Sequence, residues 1–181
     1  MLTSCSEYKE EYIDGDDLIP PAPPFWEYFT VEGFDVDQDE VRDDYELLVN
    51  EKFDSSNLRK AFKEEAKLEA KFLEAKTTEE AVVLREKIQK VFGCQMVLKK
   101  FETKDSSDEL LELSRRYRNN YWRKDRFNKK FRELIPSGAY EIFASGQDQE
   151  ILILEECGFE VQGKTQIIER IIEFYRRGRI I

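Results

Sequence analysis

The chain has 181 residues and a formal net charge of −10, with 38% charged and 40% hydrophobic residues, and its 13 Phe, 8 Tyr and 2 Trp supply enough apolar surface for one core. It has no histidine and three widely spaced cysteines, Cys5, Cys94 and Cys157, with no CxxC pair. This excludes every Ser-His and Cys-His mechanism, argues against a zinc site or a disulfide framework, and points to a reducing, cytoplasmic setting (the host-cell cytoplasm for a viral protein).

The N-terminal stretch MLTSCSEYKEEY has neither the basic start nor the apolar centre of a signal peptide. Apolar runs such as Ile151–Leu154 are too short to cross a bilayer, so no membrane association is expected. Residues 1–24 read as an irregular acidic arm with a turn at Asp14–Asp17 and an extended IPPAPP path. The aromatic cluster Phe25–Phe29 follows, and its Trp26 serves either to dock the arm or to anchor a partner.

Acidity continues to residue 54. Residues 1–58 carry a net charge of −14. Asp35, Asp37 and Asp39 alternate as in a calcium loop, but such a loop needs Gly at its sixth position and Glu at its twelfth. Counted from Asp35 these are Glu40 and Glu46. With the glycine missing and the flanking helix pattern poor, the expectation is a solvated acidic surface and no metal.

A helical hairpin comes next. Ser55, Ser56 or Asn57 caps a helix to about Lys76 whose apolar face holds Leu58, Ala61, Phe62, Leu68, Phe72 and Leu73. Thr77–Glu80 is a capping box for a second helix with Ala81, Leu84, Ile88, Val91 and Phe92 on one face, ended by Gly93. Gln95–Phe101 and Ala139–Ala144 read as strands. Between them a capping box at Ser106–Glu109 opens a long helix to about Ile135, with Leu110, Leu113, Tyr117, Tyr121, Phe127, Phe131 and Ile135 inward and Lys124 snorkelling out of that face.

Residues 115–132 carry a net charge of +8. Arg115, Arg118, Arg126, Lys129 and Lys130 fall on the outer face around Trp122. Guanidinium groups clamp phosphate and an indole stacks on an unpaired base, which is what single-stranded or deformed nucleic acid needs. The same face could instead latch onto the acidic N-terminal segment.

Gly158–Thr165 matches GxxxxGK[ST] letter for letter, yet too little chain follows for the further strands and acidic magnesium ligand of a nucleotide-hydrolysing domain, so the match is taken as coincidental. A helix over 149–157 stopped by Gly158, an extended turn and a helix over 165–177 fit better. In Leu154, Gly158, Lys164 and the run Ile167–Ile171 this segment resembles the SAP family, small helix–extended loop–helix modules that bind DNA. The loop is one residue shorter than usual, and Glu160 replaces a common proline. The resemblance implies that Lys164 contacts phosphate, with Arg170, Arg176, Arg177 and Arg179 extending the footprint.

The expected fold is α+β and predominantly α: a helical hairpin, a long basic helix, a sheet of two or three strands and a C-terminal two-helix module. Its segments are 1–54, 55–146 and 147–181 in one compact unit. The expected function is non-enzymatic, with no catalytic residues and no cofactor. The partner is nucleic acid, or a nucleic-acid-handling protein held by Trp26, Asp35, Asp37, Asp39, Glu40, Asp43 and Asp44 in the manner of DNA-mimicking phage inhibitors.

Overall fold

The computed structural model describes residues 33–102, 118, 121–134 and 146–178, without the side chains of 121, 122, 133 and 134, and the backbone of two short strands, 11–13 and 17–19. Six helices make up most of the described chain: α1 (Asp43–Lys52), α2 (Ser56–Glu74), α3 (Thr78–Glu102), α4 (Tyr121–Leu134), α5 (Gln147–Glu155) and α6 (Lys164–Gly178).

The fold class is therefore corrected from α+β to helical. Gln95–Phe101, expected as a strand, is the last part of α3. The other expected strand, 139–144, lies outside the described residues, as do the aromatic cluster at 25–29 and the capping box at 106–109. β pairing among the described residues is confined to an antiparallel ribbon, β1 (Glu11–Ile13) with β2 (Asp17–Ile19), too short to form a layer.

α3 continues because its apolar stripe keeps a helical period through the expected break. Val91, Cys94, Gln95 and Leu98 are all buried against α2 or the C-terminal pair, at spacings of three and four. A glycine inside a helix costs only about 1 kcal/mol, less than burying one large apolar side chain returns. Gly93 is thus carried inside α3 rather than ending it.

The α2–α3 hairpin is the frame. The Ser55 hydroxyl accepts from the Leu58 amide and caps α2. At the turn, Thr77 Oγ1 accepts from the Glu80 amide, while the Glu80 carboxylate reaches back to the amide of Lys76. Two apolar clusters lie along the hairpin. One, near the turn, joins Phe72, Ile88 and Val91 to Phe127 of α4. The other, at the open end, joins Phe62, Val97 and Leu98 to α1 and to Leu154, Ile167 and Ile171 of α5 and α6.

α1 was not expected, yet its logic is local. Val41, Tyr45 and Val49 recur every four residues and are buried, and Asp43, Asp44 and Glu46 sit in the first turn, where helix dipoles favour carboxylates. Its C-terminal end is closed by Arg59, whose Nη1 donates to the carbonyls of Phe53 and Asp54.

The C-terminal pair is fastened by Asn57, whose Nδ2 donates to the Gln162 carbonyl and whose Oδ1 accepts from the Gln162 amide, at 2.8 and 2.7 Å. A disulfide between Cys94 and Cys157, both buried, ties the end of α5 to α3. This corrects the expectation from cysteine spacing: a separation of 63 residues says nothing about distance once α5 folds back on α3. Among the described residues no helix is long and apolar enough to cross a membrane.

A loop of this length stabilises by about 4 kcal/mol through lost chain entropy in the unfolded state. The expected outcome is a urea midpoint that falls sharply on reduction. Thiol titration in denaturant should find one free thiol per chain before reduction and three after; three before reduction would remove the bridge from the account.

Candidate nucleic-acid interface

The residues expected to form one basic surface are divided among different environments. Arg118 lies in a turn ahead of α4, so the long helix is not continuous from 109 to 135. Its guanidinium pairs with Glu69 of α2, a side chain only 2% exposed, and lies 3.6 Å from the ring centre of Phe127. Burial pushes the Glu69 carboxyl up, against the hydrogen bond and charge of Arg118. Arg118 is therefore part of the packing between the hairpin and α4, not an outward phosphate clamp. Arg123, which sequence reasoning passed over, is also buried, with Nη1 3.5 Å from Asp44 Oδ2.

Arg126 and Lys129 are exposed on α4, Lys130 is half-buried, and Lys124 stands in solvent rather than in the core face. Arg115, Trp26 and the Trp122 side chain lie outside the described residues. α4 packs at the turn half of the hairpin and α6 at the open half. The expected joint footprint of α4 with Lys164 and Arg170 thus divides into two.

Of the acidic residues offered as a partner surface, Asp35, Asp39, Glu40, Asp43 and Asp44 are engaged within the molecule. Asp35 accepts from the amides of Asp39 and Glu40. Asp43 is buried, and Asp44 pairs with Arg42 at 2.8 Å. Glu40 Oε2 lies 2.8 Å from Lys71 Nζ, which holds the Glu40 carboxyl below its usual range and Lys71 above its own. Lys67 Nζ stands 3.9 Å from Asp39.

A different place brings cations and aromatic faces together. Lys100 and Phe101, in the last turn of α3, meet Arg170, Phe174, Tyr175 and Arg177 of α6 around a cleft of about 740 Å³. Positions 170, 174 and 177 recur at four and three, which puts them on one face of α6. The Lys100 ammonium lies 4.4, 4.9 and 5.2 Å from the ring centres of Phe174, Phe101 and Tyr175, within cation–π range, and 2.7 Å from Glu150 Oε1. Phe174 meets Phe101 and Tyr175 edge-on and is still 52% exposed. Arg170 Nη1 donates to the Phe101 carbonyl, so one cation closes the C-terminal end of α3 and faces the cleft. Arg177 pairs with Glu173 across one turn in full solvent.

Sequence reasoning named Arg170 and Arg177 of this group as phosphate contacts and missed Lys100, Phe101 and Phe174. The signal for the α6 part was the i, i+4, i+7 arrangement of Arg170, Phe174 and Arg177; nothing local places α3 beside it. Lys164 is the first residue of α6 and half-buried, after Gly158 and Gly163 at φ +81° and +64°. The residues before this loop form α5, not the strand from which a phosphate loop departs. Comparison with known protein families, curated proteins and solved structures finds no match to this chain.

Removing Arg118 would strand a buried carboxylate. Arg118→Ala is expected to lower stability by about 3–5 kcal/mol. Because burial raises Glu69 and removing Arg118 raises it further, the loss should be smaller near pH 4.5, where both folded proteins keep this carboxyl protonated, and deepen once pH passes the raised value of the wild-type carboxyl. Lys129→Ala should leave stability unchanged. Urea melts at pH 4.5 and 7.5 check both; equal, small effects would show that Arg118 is not a structural residue.

Proposed function

We propose that this protein is a non-enzymatic binder of single-stranded nucleic acid whose contact surface is the cleft between the end of α3 and α6. The observation that carries this is the half-exposed Phe174 ring with Lys100, Arg170 and Arg177 around it. Unpaired bases stack on such a ring while cations beside it meet the backbone, and every base presents a π-face, so recognition is indifferent to sequence. Single strands suit the cleft better than duplex, whose bases are already stacked and not free to cover an aromatic ring.

Two further features support the reading. The likeness of the C-terminal segment to SAP modules implies a phosphate contact at Lys164, the first residue of α6. Exposed Arg126 and Lys129 on α4 supply a second cationic surface along the hairpin. Against an acidic inhibitor role stand the internal partners of Asp35, Asp44 and Glu40: a phosphate mimic needs its carboxylates turned outward.

The experiment is fluorescence anisotropy with a labelled oligothymidylate and a duplex of equal length, at low and moderate salt. Wild type should prefer the single strand. Phe174→Ala should weaken that binding by about tenfold or more, since one base–aromatic stack contributes roughly 1–3 kcal/mol. Arg177→Ala should reduce the slope of log affinity against log salt by about 0.7. No binding by wild type at low salt, or affinity indifferent to Phe174→Ala, overturns the proposal.

A further inference from the structure

Lys100 leaves the last turn of α3 and joins both helices of the C-terminal pair. Its ammonium donates to Glu150 Oε1 of α5 at 2.7 Å, and it lies over the Phe174 ring of α6, 4.4 Å from the centre. Tyr175 of α6 and Phe101, the next residue on α3, add ring centres at 5.2 and 4.9 Å. Glu150 is 7% exposed, and its other oxygen, Oε2, is buried with no hydrogen-bond partner. Among the described residues its ion pair is with Lys100. An ammonium that left for a phosphate would strand this carboxylate in a dry place, which costs more than one exposed phosphate contact contributes. The two arginines of the cleft are less firmly committed. Arg170 uses Nη1 for the Phe101 carbonyl and keeps further N–H donors on an exposed side chain. Arg177 meets Glu173 in full solvent, where a phosphate replaces a carboxylate at little cost.

We propose that Lys100 is a positioning residue of the cleft: it holds the Phe174 ring for stacking, and the phosphate contacts fall to Arg170 and Arg177. This role rests on the nucleic-acid reading above and gives the bound strand a layout. Positions 170, 174 and 177 share one face of α6, with the ring between the two guanidinium groups, and 170 and 177 stand about 10 Å apart along the helix. One base stacks on the Phe174 face that the ammonium leaves open, and the phosphates on either side of that base meet Arg170 and Arg177. The backbone runs along α6 with its bases turned toward α3. Lys100 acts through the ring: a cation against one face fixes the plane of a side chain that would otherwise sample several rotamers in solvent.

The test combines Lys100→Met with Glu150→Gln in the full chain. Cation and carboxylate then leave together, the methionine keeps the lysine stem, and the local charge is unchanged. In fluorescence anisotropy with the labelled oligothymidylate, the double variant should bind about threefold or more weakly, as loss of a cation–π contact predicts. The slope of log affinity against log salt should stay at its wild-type value, whereas loss of a phosphate contact would lower it by about 0.7. In NMR spectra of the free protein, the Phe174 ring protons should move toward the shifts of a solvated phenylalanine while the amides of α2 and α4 stay in place. A slope that falls by about 0.7 in the double variant, an unchanged affinity, or unmoved Phe174 ring protons overturns the positioning role and leaves the cleft as the binding surface, provided Phe174→Ala still weakens binding. No binding by wild type at low salt overturns the reading and this role with it.

Discussion

The continuation of α3 past Gly93 is the constraint on which the rest of the molecule depends. At 25 residues the helix is about 37 Å long, enough to serve two separate cores. Its first half packs with α2 and α4 around Phe72, Ile88 and Val91. Its second half carries Cys94 to Cys157, Gln95 to Glu65, and Lys100 and Phe101 to the face of α6. Had the helix ended where a glycine invites it to, the C-terminal pair would have lost its floor and the cleft one of its walls.

Electrostatics in this protein is mostly an internal matter. The acidic N-terminal stretch and the basic segment look like surfaces for outside partners, yet the carboxylates of 35–46 meet Lys63, Lys67, Lys71 and Arg123, and Arg118 meets Glu69. Exposed pairs such as Glu40–Lys71 contribute little, whereas the buried pairs fix which helix faces which, because breaking one leaves a charge in a dry place. Among the described residues, what the outer face of α4 and the end of α6 keep outward includes cations, and at the end of α6 these lie beside aromatic rings.

The legible part of the chain was the part governed by local rules. A cap for α2 among Ser55–Asn57, the Thr77 hydroxyl on the Glu80 amide and the stripe from Leu58 to Phe72 follow from spacing, whereas the Glu80 carboxylate takes the amide of Lys76 and not the expected one of Thr77. Three things were not legible. The strand reading of Gln95–Phe101 gave Gly93 and Val97 more weight than the periodicity running through them. α1 was hidden by its own acidity, although Val41, Tyr45 and Val49 kept the helical step. The cleft could not be seen at all, since Arg170 and Phe101 stand 69 residues apart and meet only because α6 crosses the end of α3. Arg118 taught the opposite lesson: a cation drawn on the outer face of a helical wheel lies elsewhere once the helix begins after it.

The Cys94–Cys157 bridge has a topological consequence. It closes a ring of chain that contains α4 and α5 whole, with the last turns of α3. A single backbone cut anywhere inside that ring separates no mass: the two pieces stay one molecule, and the C-terminal pair keeps its seat on α3 through sulfur and packing. A nick there is silent to size and visible only once the bridge is opened, so in this protein the integrity of the backbone and the integrity of the fold are separable properties.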